Sequence, residues 1–163
     1  MNYLIVSDTH GNTRILEQLL ENYKSITNTV IHLGDHARDM SRFKDNETVL
    51  YIVNGNTDPM IAEYDERVIE LDGKRIFITH GHRYGVKSSY TDLIYKAEEL
   101  DVQACLFGHS HVPVIFKEKG IFFMNPGSPT HPRPGDLPGY ALMRIEDDGQ
   151  INGMLMTYKE SSI

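Results

Sequence analysis

Five short polar segments of this chain carry the residue types that hold metal ions in proteins, and each follows a short apolar run. The segments are SDTHG at 7–11, GDH at 34–36, GNTD at 55–58, THGH at 79–82 and GHSH at 108–111. In an extended chain residues i and i+2 point to the same side, so each histidine two positions after a donor can act with it. Carboxylate oxygens, imidazole nitrogens and an amide oxygen together suit borderline divalent ions better than Ca²⁺ or Mg²⁺.

Seven side chains in these segments are candidate metal ligands. They are Asp8, His10, Asp35, Asn56, His80, His109 and His111. If Asp35 bridges two ions, the seven residues make eight bonds to metal, four for each ion, and leave room for water and substrate. The sequence therefore predicts two divalent ions per chain, with Mn²⁺ as the first choice and Ni²⁺, Fe²⁺, Co²⁺ or Zn²⁺ as alternatives.

The elements that must position these segments are short β-strands, most of which precede a polar segment directly. Apolar, β-branched runs predict strands at 2–7, 29–33, 48–53, 67–71, 74–79 and 103–107, and helical spacing predicts helices at 12–23 and 89–100. Alternation of strand and helix in the first half favours a largely parallel sheet. Since parallel strands deliver their carboxyl ends to one edge, we expect the polar segments to converge there.

Hairpin patterns follow in the second half, around the KEKG turn at 117–120 and the Asp148-Gly149 turn. Two mixed sheets packed face to face account for both halves better than one open sheet. The predicted fold class is therefore α/β, a four-layer α-β-β-α sandwich in which helices flank the two mixed sheets.

Composition limits the class of protein. A chain of 163 residues with 40% hydrophobic content predicts a single domain over 1–163. The net charge of −7 and the lack of a Lys/Arg stripe argue against a strong nucleic-acid patch.

The lone Cys105 lies in an apolar run and is expected to be a core residue rather than part of a disulfide. Without a leader-like or membrane-spanning segment, we expect a soluble, unprocessed, cytoplasmic protein with no membrane partner.

The ordered series DTH, GD, GN, THGH and GHSH, followed by NPGS at 125–128, resembles the calcineurin-like metallophosphoesterase superfamily, close to its small cap-less phosphodiesterase branch. The resemblance extends from Asp8 to Ser128 and implies the same two-sheet sandwich flanked by helices. It also implies a division of the ligands. One ion would be held by Asp8, His10, Asp35 and His111, and the other by Asp35, Asn56, His80 and His109.

The expected activity is hydrolysis of a small phosphoester substrate by in-line attack of a hydroxide held between two divalent ions. Asp35, Asn56 and His82 are the predicted catalytic residues, and His82 ranks first for contacting phosphate. Many relatives that hydrolyse monoesters have a histidine where this chain has Thr57. A threonine hydroxyl cannot serve as a general acid near neutral pH, which favours phosphodiesters as substrates.

Alternative interpretations remain open at this point. His36 or His131 could replace the missing acid and support monoesterase activity, or the chain could be a catalytically weak protein-binding scaffold like the retromer phosphoesterase-like subunit, whose fold is similar. A homo-oligomer is possible. His32, within a strand, is expected to be a hydrogen-bonded structural residue. The remaining expectations are that Asp58 caps a loop or orients a ligand, that 125–128 is a turn, and that Arg83, Lys87 and Arg133 are additional phosphate contacts.

Overall fold

The computed structural model describes residues 1–43, 47–59 and 62–158, without the side chains of residues 41 and 42. In chain order its helices and strands are β1 (Asn2–Val6), α1 (Thr13–Tyr23), β2 (Thr29–His32), a 3-10 helix (Ala37–Phe43), β3 (Val49–Ile52), β4 (Glu66–Leu71), β5 (Lys74–Thr79), a short 3-10 helix (His82–Tyr84), α2 (Thr91–Glu99), β6 (Ala104–Leu106), β7 (Val114–Glu118), β8 (Ile121–Asn125), β9 (Gly139–Ile145) and β10 (Ile151–Thr157).

The described strands form two five-stranded mixed sheets. The first sheet has the order β10-β9-β1-β2-β3, and the second has the order β4-β5-β6-β8-β7. Strands β1, β2 and β3 are parallel, as are β5, β6 and β8, while the hairpin strands run antiparallel to their neighbours. Each sheet therefore presents the carboxyl ends of three neighbouring strands at one edge.

Alternation of side chains along the strands builds the layers. In β1, Tyr3 and Ile5 belong to the core between the sheets, whereas Leu4 and Val6 pack with the buried face of α1. In β6, Cys105 faces outward into the cluster formed with α2, where it is a buried free thiol. The four-layer α-β-β-α sandwich predicted from the sequence is confirmed.

Two details differ from the sequence predictions. The segment between β2 and β3, for which no helix is predicted, forms a 3-10 helix, and α2 begins at Thr91 rather than at residue 89. Before α2, the backbone N–H groups of Ser88 and Ser89 both donate to the carbonyl of Gly85, which forms a turn. At the start of α1, the Asn12 side chain accepts a hydrogen bond from the Ile15 N–H and caps the helix. Among the described residues, no helix has the length and apolar character needed to cross a bilayer.

Candidate metal centre

The seven candidate ligands lie together at the carboxyl ends of the parallel strands, where the edges of the two sheets meet. One group has donor atoms that all lie within 4.8 Å of one another, and it contains Asp8, His10, Asp35 and His111. A second group within the same limit contains Asp35, His80 and His109. The Asn56 Oδ1 atom lies 3.2 Å from His80 Nε2 and so adjoins this second group. Asp35 belongs to both groups, which makes the two groups adjacent.

Distances between the donor atoms fit a shared coordination sphere. His80 Nε2 lies 3.2 Å from His109 Nδ1 and 3.4 Å from Asp35 Oδ1. In the other group, His111 Nε2 lies 3.1 Å from Asp8 Oδ1 and 3.5 Å from His10 Nε2. An ion about 2.1 Å from each ligand separates neighbouring ligands by about 3.0–3.4 Å in octahedral or tetrahedral geometry. The donor set and its spacing therefore fit divalent ions.

The Asp8 carboxylate has one satisfied and one unsatisfied oxygen. Its Oδ2 accepts hydrogen bonds from Ser7 Oγ at 2.6 Å and from the His109 backbone N–H at 3.1 Å. Its Oδ1 is buried and has no hydrogen-bond partner among the described residues. Since a buried carboxylate oxygen without a partner is costly, a cation beside Asp8 Oδ1 would remove that cost.

Two of the histidines are oriented by backbone carbonyls. His80 Nδ1 lies 2.7 Å from the Leu33 carbonyl, and His111 Nδ1 lies 2.6 Å from the His131 carbonyl. A carbonyl can only accept, so each Nδ1 carries the ring proton and each Nε2 turns its lone pair toward the cluster. This is the tautomer that a metal ligand requires.

Burial and charge adjust the protonation of the cluster. Burial lowers the pKa of His10, and it lowers the pKa of His109 to about 4, so both rings are neutral near pH 7. Although burial opposes it, the neighbouring His111 and His80 rings hold the pKa of Asp8 below its ordinary value. Asp8 in turn raises the pKa of His111. Ionised carboxylates beside neutral imidazoles are the forms that bind metal.

Backbone strain is concentrated in the ligand loops. Nine non-glycine residues have positive φ in the part of the chain that is described, and six of them are in these loops. The six are Asp8, His10, Asp35, His36, His109 and His111, with φ of 46–70°. The prediction of an extended backbone in these segments is therefore wrong. The ligand side chains are brought together by left-handed turns instead. Such conformations cost about 1 kcal/mol or more for each residue and are typical of functional sites.

Glycine at position 55 allows the second and third ligand loops to touch. A Cβ atom there would lie 2.1 Å from Asp35 Oδ1 and 2.3 Å from the Asp35 backbone nitrogen, closer than any real contact. Gly108 is similarly confined, since its Cβ would lie 2.0 Å from Ser7 Oγ. These glycines permit the approach of backbone to ligand that the site needs.

We therefore expect Gly55→Ala to displace Asp35 and to lower the number of ions bound per chain. In the phosphodiester hydrolysis that the family resemblance implies, the rate should fall by about 100-fold or more, since misplacement near the chemistry by about 1 Å has that effect. Metal analysis and steady-state rates measure both results. Gly120→Ala is the control for backbone strain without crowding, because Gly120 lies in the β7–β8 turn with a φ of +78° and nothing within 4 Å of its Cβ. Equal losses in the two variants would contradict the close-approach argument.

Asp58 joins two of the ligand loops. Its Oδ1 accepts a hydrogen bond from the Ala37 N–H at 2.9 Å, and its Oδ2 accepts one from the Gly55 N–H at 2.8 Å. The backbone N–H of Thr57 also donates to Asp35 Oδ1, at 3.1 Å. Asp58 thus holds the segment that carries Asn56 against the segment that carries Asp35, and the prediction that it caps a loop is confirmed.

The segment 125–128 is more than a plain turn. Asn125 Nδ2 donates to the Gly108 carbonyl at 2.9 Å, and Asn125 Oδ1 accepts from the Gly127 N–H at 2.9 Å. Ser128 Oγ donates to the Asp8 carbonyl at 2.8 Å. The segment therefore connects the loop that follows β6 to the loop that follows β1.

The other predicted histidines surround the cluster. His82 has its ring centre 5.5 Å from that of His80, and its buried Nδ1 has no partner among the described residues. Burial also lowers the pKa of His82. On the opposite side, the rings of His36 and His131 lie 5.6 Å and 4.7 Å from the ring of His10. All three are placed where they could approach a substrate.

Two of the three predicted phosphate-binding cations already have partners. Arg83 forms an ion pair with Asp65 at 2.5 Å, and Arg133 Nε donates to the Ser110 carbonyl at 2.8 Å. The charge of Arg83 is therefore paired, Arg133 has a structural contact, and contact of either residue with phosphate stays a prediction. Lys87 is exposed near His109, where its charge contributes to the lowered pKa of that histidine.

Sequence reasoning missed two buried polar residues beside the site, Thr9 and Asp39. Thr9 Oγ1 contacts both Asp39 and His32, and His32 is hydrogen-bonded at both ring nitrogens as predicted for a structural histidine. Burial lowers the pKa of His32 to about 4, so its ring is neutral. Asp39 lies in a polar segment whose pattern resembles a solvated helix, and no spacing rule marks it as buried.

Two adjacent groups of Asp and His donors, with Asn56 beside one of them, lie at the carboxyl edge of a two-sheet α/β sandwich, an arrangement typical of metal-dependent hydrolases. Comparison with known proteins identifies the family to which this chain belongs. Residues 1–148 match the calcineurin-like phosphoesterase superfamily domain, and the chain belongs to that family.

Curated relatives agree with this assignment, and a solved structure shares the fold. The probable metallophosphoesterase YsnB of Bacillus subtilis is 33% identical over 148 residues, which cover 91% of this chain and 86% of YsnB. The phosphodiesterase YfcE of Escherichia coli K12 is 26% identical over 169 residues, with 88% and 87% coverage. A single-substitution variant of Vps29 from Entamoeba histolytica superposes with a TM-score of 0.76 at 22% identity, covering 98% of this chain and all of Vps29, which shows a shared fold.

Proposed function

We propose that this protein is a dinuclear phosphodiesterase and that residues 1–163 form its single domain. Asp8, His10, Asp35 and His111 would hold one divalent ion, and Asp35, Asn56, His80 and His109 the other. The observation that carries this proposal is the pair of adjacent donor groups that share Asp35. The family assignment and the buried, unpartnered Asp8 Oδ1 support it independently.

When bound, the two ions would supply a hydroxide nucleophile near neutral pH and neutralise charge on the phosphoryl oxygens. The chain itself fixes the geometry of the donors. Backbone carbonyls hold the rings of His80 and His111, and hydrogen bonds from Ser7 and His109 hold the Asp8 carboxylate. With two carboxylates against two divalent cations, the site retains net positive charge, which favours an anionic ester.

Phosphodiesters are the proposed substrates because the chain lacks a general acid at the usual place. Thr57 is exposed at the end of the loop that carries Asn56, and its backbone N–H is used by Asp35. Its hydroxyl cannot protonate a leaving alkoxide near pH 7, so esters with acidic leaving alcohols should react best. We propose that His82, whose Nδ1 is buried and unpartnered among the described residues, contacts the phosphate.

Thr57→His tests this substrate assignment. A histidine at this exposed position could protonate the leaving oxygen, so turnover of a phosphomonoester should rise by about 100-fold while the diester rate changes little. Steady-state rates on p-nitrophenyl phosphate and on an unactivated alkyl monoester separate the effect of the acid from that of the leaving group. Thr57→Gln is the control, because glutamine is of similar size to histidine and cannot act as an acid.

If the wild type already hydrolysed monoesters faster than diesters, the substrate assignment would be wrong and His36 or His131 would become the acid to test. The protein-binding alternative is suggested by the Vps29 likeness, which shows the fold alone. Two bound ions without turnover on any phosphoester, together with a stable protein partner, would favour that alternative.

A further inference from the structure

We propose that His32, Thr9 and Asp39 form a buried hydrogen-bond relay that positions the loops bearing Asp8, His10 and Asp35 for metal binding. The proposal rests on the metal-binding part of the proposed function. None of the three residues belongs to the two donor groups, so each would act as a positioning residue. All three are buried, with relative exposures of 0% for His32 and Thr9 and 6% for Asp39.

The contacts form an unbroken chain from one ligand loop to the other. The Gly34 backbone N–H donates to His32 Nδ1 at 3.2 Å. His32 Nε2 lies 3.1 Å from Thr9 Oγ1, which donates to Asp39 Oδ2 at 2.8 Å. The same Asp39 oxygen accepts the Gly11 backbone N–H at 2.9 Å. The relay therefore begins beside Asp35 and ends beside His10.

The direction of the relay follows from its two ends. Because Gly34 donates to His32 Nδ1, this nitrogen has no proton, and the neutral ring carries its proton on Nε2. His32 Nε2 must then donate to the Thr9 hydroxyl, which directs its own proton to the Asp39 carboxylate. In this series of hydrogen bonds every donor has one acceptor. No other arrangement of the protons on His32 and Thr9 satisfies all the groups equally well.

The relay contacts loops whose backbone is strained. Asp8 and His10 have φ of 55° and 46°, and Asp35 has φ of 56°, all in the left-handed region. Such conformations persist only where surrounding contacts determine them. The relay fixes Gly11 directly after His10 and Gly34 directly before Asp35, and Thr9 itself lies between Asp8 and His10. Loss of the relay would free these loops to relax away from the ligand geometry.

Co²⁺ binding to metal-stripped protein tests the proposal, because its visible absorption reports ligand geometry without any enzymatic turnover. Thr9→Val keeps the shape of the side chain and removes the hydroxyl in the middle of the relay. We expect a loss of Co²⁺ affinity of about 10- to 100-fold, the size found when partners of metal ligands are removed, with altered visible bands. Thr9→Ser retains the hydroxyl and should restore both affinity and spectrum.

A destabilised control separates positioning from general stability. Leu93→Ala removes a fully buried side chain in the α2 cluster, and the relay remains intact. It should melt at a lower temperature than wild type and still bind Co²⁺ normally. If Thr9→Val does not fold, Asp39→Asn provides the same test, because it keeps the size of the side chain and removes the negative end of the relay.

Wild-type affinity in Thr9→Val, or an equal loss of affinity in Leu93→Ala, would overturn the relay. Its failure is distinguishable from failure of the proposed function. A wild-type protein that binds two Co²⁺ ions in a Thr9-dependent way, yet hydrolyses no phosphoester, would leave the relay intact and remove the enzymatic assignment. If the wild type and Thr9→Val hydrolysed the phosphoester equally well, the enzymatic assignment would stand and the relay would be wrong.

Discussion

Asp35→Asn is expected to lower hydrolysis of an activated diester such as bis(p-nitrophenyl) phosphate by about a thousandfold, with loss of bound metal. Asp35 is the only member shared by the two donor groups found among the described residues. The substitution removes one negative charge and can place an amide N–H₂ toward His80, whose Nε2 lies 3.4 Å from Asp35 Oδ1. Both ions would lose a ligand through one change. Steady-state rates and metal analysis measure the two effects.

Asp92→Asn is the matched control, because Asp92 is an exposed carboxylate in the first turn of α2. It should bind about two ions and hydrolyse the diester at the wild-type rate. Metal content close to two ions per chain in Asp35→Asn, with turnover preserved, would show that Asp35 does not bridge. The shared-ligand proposal would then have to be abandoned.

Removal of metal is expected to abolish turnover and to lower the melting temperature by about 5–10 °C. A ligand present at 100 times its Kd stabilises the folded state by about 2.7 kcal/mol, which corresponds to a shift of this size for a chain of this length. Without a cation, the buried Asp8 Oδ1 has no partner among the described residues, and the Asp8 and Asp35 carboxylates face each other across one cluster. Mn²⁺ added to metal-stripped protein should restore both quantities.

The two readouts distinguish the competing functions. Recovery of both melting temperature and turnover supports the dinuclear enzyme. Recovery of the melting temperature alone would favour a metal-binding scaffold, and turnover that is indifferent to stripping would remove the role of metal altogether. Asp35→Asn provides the control for specificity, because its melting temperature should respond much less to Mn²⁺ than that of the wild type.

Much of the fold could be predicted from the sequence, because its elements are local patterns. Successive side chains of a strand point to opposite faces, which separates Tyr3 and Ile5 from Leu4 and Val6 in β1, and the structure assigns these pairs to the two faces of the sheet. The Asp72-Gly73 pair predicts a hairpin, and both residues have the positive φ that its turn requires. The division into two sheets followed from the contrast between crossover and hairpin patterns.

The membership of the candidate site was also accessible from sequence. Metal-binding residue types recur after successive strands, and the parallel strands carry them to one edge, so the seven side chains could be brought together without coordinates. The likeness to relatives then supported a division into two groups around Asp35. What the individual residues do in that site remains a proposal, which the substitutions above test.

Only the tertiary structure decided how the site is held. The left-handed turns at Asp8, His10 and Asp35 depend on contacts from other loops, and local sequence does not specify such contacts. Asp39 looks like a surface residue in sequence, yet it is buried because Thr9 and Gly11 donate to it across the fold. Residue type and strand order determine which donors can meet, whereas their angles and protonation depend on neighbours distant in sequence. Those neighbours become known only when the chain is folded.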